Sequence, residues 1–243
     1  MKKYGLTAEF IEQWGKKLFR IKALISFGSV EAGELGGYVE KEDNLAQDGD
    51  AWVYGNARVY GDAEVYGDAE VYGNAMVYGN ARVYGNAEVY GDAEVYGNAR
   101  VYDDARVCGD AEVYGNARVC GNAEVCGDAE VCDDARVCGN ARVCGDARVY
   151  GDAMVYGNAD YLLIGRIGSR FSFTTFFKNK DKGITVSCGC FLGTIAEFRA
   201  KVTDTHGNNK HAKIYNLAAD MAELQILGEE YFDKLNANKS EPF

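Results

Sequence analysis

From residue 49 onward, small, polar and apolar positions recur with a period of six. The unit is Gly-(Asn/Asp)-Ala-x-Val-(Tyr/Cys). It starts at Gly49-Asp50-Ala51-Trp52-Val53-Tyr54 and runs without insertion to Gly151-Asp152-Ala153-Met154-Val155-Tyr156, eighteen hexads in all. A partial unit follows at Gly157-Asn158-Ala159, and only Asp103 and Asp133 replace the glycine. Side chains alternate across a strand, so Ala and Val share one side while x and Tyr share the other. The x slot holds Glu, Arg, Met or Trp, which predicts Ala and Val inside and x outside. Gly-Asn and Gly-Asp tolerate left-handed backbone angles and predict the corner between strands. One coil cannot bury its own valines, whereas stacked coils can, so the fixed short period predicts a solenoid. Two degenerate hexads precede the array in the same phase, with Val39 and Leu45 in the alanine slot.

The flanks read differently. Phe19, Ile21, Ala23, Ile25 and Phe27 alternate with mostly polar residues and predict a strand. An open solenoid exposes strand edges at its ends, so residues 1–48 are read as an N-terminal cap. Toward the C-terminus Phe171, Phe173, Thr175 and Phe177 alternate as a strand, Asn179–Gly183 reads as a turn, and Ile184–Cys188 reads as a second strand. Thr194 precedes an amphipathic stretch (Ile195, Phe198, Val202) that predicts a helix, and a second helix is expected from about Asn209 to Leu227. The organisation expected is a cap over 1–48, a repeat over 49–160 and a small α+β (ββαα) domain over 161–243.

The aliphatic residue followed four positions later by a small one (Val53…Ala57, Val59…Ala63 and their successors) resembles the hexapeptide-repeat, left-handed parallel β-helix superfamily. That resemblance implies a mainly β fold, a left-handed triangular solenoid with three hexads per coil, and six to seven coils here. The run Leu35-Gly36-Gly37-Tyr38-Val39-Glu40 with Asn44-Leu45, and the C-terminal segment, resemble hexapeptide-repeat proteins of phages and prophages. A role in inhibiting a host factor or defence protein is what this second resemblance implies.

With three hexads per coil, residues eighteen apart stack. One column of the x slot then reads Glu64, Arg82, Arg100, Arg118, Arg136, Met154. A second reads Arg58, Met76, Glu94, Glu112, Glu130, Arg148, and a third reads Trp52, Glu70, Glu88, Arg106, Glu124, Arg142. The arginine run, with Tyr84 and Tyr102 beside it, is a candidate binding face. It suits an acidic partner surface, a neighbouring copy's glutamate face (Glu94, Glu112, Glu130), or a small anionic or nucleotide ligand held by Arg forks and Tyr rings. Duplication of a hexad without selection on order yields similar runs. The last slot is Tyr from Tyr54 to Tyr102, then mostly Cys from Cys108 to Cys144. Cys108, Cys126 and Cys144 stack closely enough to crosslink if oxidised, and reduced thiols are expected in a cytoplasm.

Charge sharpens this picture. The net charge is -11, and residues 49–160 carry it with eight Arg and no Lys against thirteen Asp and seven Glu. Such acidity disfavours nucleic acid as a partner of the whole molecule. No apolar run is long enough to span a membrane and the N-terminus lacks a signal-like stretch, so a cytoplasmic location is expected, in the host cell if the protein is phage-encoded. The repeat contains no His and no inserted loop, unlike acyltransferases built on this helix. Its two His lie outside the repeat, too few for a three-His carbonic anhydrase site. A non-enzymatic binding or scaffold protein without cofactor is therefore expected, with a protein partner or self-association as dimer or trimer. Two alternatives rest on the C-terminal segment: a zinc set of Cys188, Cys190, His206 and His211, and a nucleophilic pair of Cys190 and His206.

Overall fold

Each hexad folds as the alternation requires. In the computed structural model, which describes residues 2–229, every x-Val pair is a short strand and every Gly-Asn or Gly-Asp pair a corner. Strands three hexads apart pair in parallel and in register: Arg100 lies between Arg82 and Arg118, and Val101 between Val83 and Val119. Backbone bonds run from coil to coil, such as Arg100 N–H to the Ala117 carbonyl at 2.9 Å and Tyr102 N–H to the Val119 carbonyl at 3.0 Å. The result is a three-sided parallel β-solenoid of about seven turns, with one sheet per face. The valines and alanines of the eighteen full hexads form one continuous core, each essentially inaccessible to solvent. Each buried valine contributes about 1.5–2 kcal/mol, so the core holds the coils in register.

The corners need left-handed backbone. Gly91 has φ of +76°, and a Cβ there would meet the Gly109 nitrogen at 3.0 Å. Asp103 and Asp133 occupy the same conformation, at φ 61° and 59°. Their carboxylates accept a backbone N–H from the next coil, from Gly121 at 3.3 Å and from Gly151 at 3.2 Å.

The N-terminal segment forms a hairpin, β1 (Tyr4–Gln13) and β2 (Lys16–Ala23), followed by β3 (Leu35–Val39). This extends the glutamate-bearing sheet to nine strands, because β3 pairs in parallel with Arg58–Val59. Here the expected phase is corrected. Val39 sits beside Val59 and Leu45 beside Val65, so both occupy the valine position and not the alanine slot. The corner over 46–50 is two residues longer than the later ones. Lys3 is buried against that corner and donates to the carbonyls of Gly49 at 3.1 Å and Ala51 at 2.9 Å. Trp52 is a second correction. Its slot faces outward in the repeat, yet Trp52 is fully buried. Phe27 and Tyr4 cover it edge-on, with ring centroids at 5.4 and 6.0 Å.

At the other end a four-stranded antiparallel sheet (Tyr161–Ile167, Ser172–Lys178, Ile184–Cys188, Phe191–Thr194) closes the last coil. It has two more strands than the alternation shows. Phe171 stands outside the strand expected to contain it, in the turn before Ser172, with φ of +50°. Phe177 plugs the open end of the solenoid core. Behind the sheet lie α1 (Ile195–His206) and α2 (Lys210–Leu227). Thr194 caps α1 through a capping box with Glu197, and the Asn209 carboxamide caps α2 by accepting from the His211 and Ala212 amides. The last part of the segment read as 161–243 lies outside the described residues. No helix among the described residues is long and apolar enough to cross a membrane.

Candidate functional site

Register decides what the outer faces present. The four arginines Arg82, Arg100, Arg118 and Arg136 stack on one face, with Glu64 before them and Met154 after. Glu94, Glu112 and Glu130 stack on another, between Met76 and Arg148. Both expected columns therefore exist as drawn.

Their electrostatics differ. Wherever an arginine follows a glutamate in its column, the two pair: Arg82–Glu64 at 3.2 Å, Arg106–Glu88 at 3.4 Å, Arg142–Glu124 at 3.0 Å and Arg148–Glu130 at 3.2 Å. Arg58 instead donates to the Gln13 side chain at 3.1 Å. Arg100, Arg118 and Arg136 follow arginines and have no acidic partner among the described residues. Three guanidinium groups are thus left one coil apart, a rise of about 4.8 Å.

The tyrosines add a distinction that a reading of single columns misses. Their rings stack coil on coil, for example Tyr66 on Tyr84 at 4.8 Å and Tyr84 on Tyr102 at 5.0 Å, nearly parallel. On the glutamate face the hydroxyls donate sixteen residues ahead, Tyr78 to Glu94 and Tyr96 to Glu112, both at 2.8 Å. Burial, and then these bonds, push the two phenols well above their ordinary range. Tyr72 serves Glu88 in the same way on the third face. Beside the arginines no glutamate stands sixteen residues on, so the Tyr66, Tyr84 and Tyr102 hydroxyls lack such an acceptor. The adjoining corner carries amides, with Asn80 donating to Asn98 at 3.1 Å and Asn98 to Asn116 at 3.2 Å. The arginine face is consequently cationic and rich in donors. The signal was present in the sequence as Tyr followed sixteen residues later by Glu or Arg.

At the foot of this face a cleft of about 280 Å³ is lined by Arg118, Arg136 and Lys180, together with Asp134 and Asp152. Lys180 is paired with Asp152. The corner before the glutamate face carries Asp92, Asp110, Asp128 and Asp146, all exposed, giving the molecule one strongly acidic edge.

The cysteines depart from expectation. Cys126–Cys144 and Cys120–Cys138 are disulfides, each joining one coil to the next, with Cα atoms 4.6 Å apart. The eighteen-residue stack places any two like slots within bridging reach. Cys108 remains free, as does Cys132, whose thiol burial pushes up to about 11.

The proposed zinc ligands do not assemble. Among the described residues the three-member ligand group within 4.8 Å is Glu124, Cys126 and Cys144, and its two thiols are joined to each other. Cys188, Cys190, His206 and His211 form no such group among the described residues, and the Cys188 sulfur accepts from the Thr174 hydroxyl at 3.2 Å. Cys190 and His206 do line one cavity with Cys188 and Tyr215. His206 stacks on Tyr215 at 5.7 Å and lies 5.8 Å from His211. Burial, followed by the contact with Cys188, pushes the Tyr215 phenol up to about 12.

A family model described as the YdcK beta solenoid repeat matches residues 51–67, 69–85, 77–91, 93–109 and 147–159. No curated protein matches the chain. The matched segments all fall within the coiled array, and with the observed coils they make this chain a β-solenoid repeat protein.

Proposed function

We propose that the chain is a non-enzymatic binding scaffold whose arginine face docks an acidic surface of a protein partner. The observation that carries this reading is the set Arg100, Arg118 and Arg136, unpaired on a molecule whose other solenoid arginines are all engaged. The face around them offers hydroxyl and amide donors from Tyr84, Tyr102, Asn98 and Asn116 at the same coil spacing. A rigid ladder of donors suits an extended, carboxylate-rich surface. The acidic edge, with Glu94, Glu112 and Glu130, repels other acidic surfaces and so orients the approach. The phage-like wording of the Leu35–Glu40 run supports a host factor as that partner.

A small anion held at the foot of the ladder is the weaker reading. The cleft there sets Arg118, Arg136 and Lys180 against Asp134 and Asp152, so little net positive charge remains to hold it. The test uses the parent and an Arg118→Glu plus Arg136→Glu variant as baits, with the mass of each protein alone measured by sedimentation. The reading expects an acidic protein retained by the parent at low salt and released by the variant. Concentration-dependent self-association of the parent alone would identify the partner as a second copy. Identical captured proteins and identical masses for both baits would contradict it.

A further inference from the structure

The C-terminal unit holds a cavity of about 210 Å³ that the ladders do not reach. Its floor is apolar: Phe198, Val202 and Tyr215 line it, and each is at most 6% exposed. Its rim carries Arg170, Lys201 and His206, and no Asp or Glu lines it. This runs against composition, since the whole chain carries -11. The cleft at the foot of the ladder, by contrast, sets two carboxylates, Asp134 and Asp152, among its cations. The nearest acids around α1 are already engaged: Glu197 closes the capping box with Thr194, and Asp204 pairs with Lys201 at 3.1 Å. Both line a separate groove on the other side of Lys201.

The segment bearing Arg170 is held in an unfavourable backbone. Gly168 has φ of +74°, and a Cβ there would overlap the Tyr215 hydroxyl, so this turn is pressed against α2. Phe171 is left-handed as well, and the residue is 70% exposed, so it gains little from burial. A left-handed bulky residue costs about 1–2 kcal/mol, and strain of this kind gathers where a side chain must be held for a ligand. The side chain so placed is Arg170, which has no ion-pair partner among the described residues.

We propose that this cavity binds a small organic anion, a carboxylate with an aromatic or aliphatic body. The floor takes the apolar body, and the Arg170 fork takes the carboxylate in two parallel hydrogen bonds. Lys201, although paired with Asp204, keeps its ammonium at the rim as a second donor, and His206, stacked on Tyr215, lines the rim beside it. Pockets for drug-sized ligands run from about 300 Å³ upward, so this one suits a molecule of benzoate size and is too small for a nucleotide. Inorganic phosphate would satisfy the rim and leave the floor uncovered.

The probes are benzoate, its neutral counterpart benzamide, and inorganic phosphate, titrated into the intact chain and followed by ligand-observed NMR. Benzoate is expected to bind about tenfold more tightly than benzamide, the difference a charge-assisted pair supplies. Arg170→Ala and Lys201→Ala should each weaken benzoate several-fold and leave benzamide nearly unchanged. Both side chains are exposed, so the thermal transition of each variant should match the parent and exclude misfolding. The Arg118→Glu plus Arg136→Glu variant should bind benzoate like the parent, which separates this site from the arginine face. Equal affinity for benzoate and benzamide, full competition by phosphate, undiminished benzoate binding in Arg170→Ala, or no benzoate binding would each overturn the proposal.

Discussion

Arg118→Glu should make the folded chain more stable while removing its binding face. Arg118 lies between Arg100 and Arg136 in register and pairs with no acid among the described residues, although Asp134 lines the same cleft. Two like charges about 5 Å apart in water repel by about 0.8 kcal/mol. Screening at physiological salt, with a Debye length of about 8 Å, leaves roughly half of that. Reversal turns two repulsions into two attractions, a change of about 1.8 kcal/mol in fixed geometry. Exposed flexible side chains realise only part of such energy, so about 1 kcal/mol is expected. For a chain of this size that raises the thermal midpoint by about 2–4 °C. The assay is a pair of melting curves for parent and variant, at physiological salt and at about 1 M salt, where the Debye length shrinks to about 3 Å and the difference should fall to about a third. A variant that melts below the parent at physiological salt, or a gain that persists unchanged at high salt, would refute the stacked-charge argument. A surface that gives up stability in this way is what retention for binding produces.

Other perturbations test other parts. Each disulfide closes a loop with a sequence separation of 18, so replacing Cys120 or Cys126 by Ser should cost about 3 kcal/mol in denaturant titrations under oxidising conditions, and nothing with reductant present. Gly91→Ala should cost about 1–2 kcal/mol in the same assay, since φ there is +76° and the added methyl meets the Gly109 nitrogen at 3.0 Å; an unchanged midpoint would mean the corner is not left-handed. The tyrosines set an alkaline limit. A contact with Cys108, then burial, raises Tyr90 from 10.0 to about 12, and burial, then the glutamate bonds, raise Tyr78 and Tyr96 as well. Because the folded values lie above the unfolded one, this stabilisation is complete below about pH 10 and is lost as the pH climbs toward and beyond 12. Tyrosinate absorbance should therefore lag the model-compound curve until the solenoid unfolds; most rings titrating near 10 with the circular dichroism intact would contradict the packing.

The solenoid was legible because one hexad states everything its coil needs. Val and Ala fix the inside, Gly-Asn and Gly-Asp fix the corner, and the absence of insertions fixes the stacking of Arg100 on Arg118. The reading slipped where a local rule met a neighbour that the period does not mention. The hexad phase, extended backward from Gly49, puts Val39 and Leu45 in the alanine slot, whereas the corner at 46–50 is two residues longer and shifts both to the valine position. Trp52 follows the outward slot in the sequence, but Tyr4 and Phe27 lie over it. The strand Tyr161–Ile167 shows no alternation because both its sides are covered: Tyr161 and Leu163 pack on the solenoid core, while Leu162, Ile164 and Ile167 pack toward the helices. A strand buried on two sides reads as a plain apolar run. On the candidate face the arginine column was visible, but its lack of partners was not. That depends on Glu64, Glu88, Glu124 and Glu130 standing one coil before the other arginines, a relation seen only when the columns are compared. The cysteine ladder was likewise visible as a stack, and its bridges follow from the 4.6 Å separation of paired Cα atoms.

Crosslinking between chosen rungs addresses the register itself. In a background with the eight native cysteines changed to serine, Arg100→Cys with Arg118→Cys should form an intramolecular disulfide rapidly under mild oxidation. Arg100→Cys with Arg106→Cys, closer in sequence but on the next face, should not. Bridging of the second pair, or failure of the first, would contradict a three-sided coil of eighteen residues per turn.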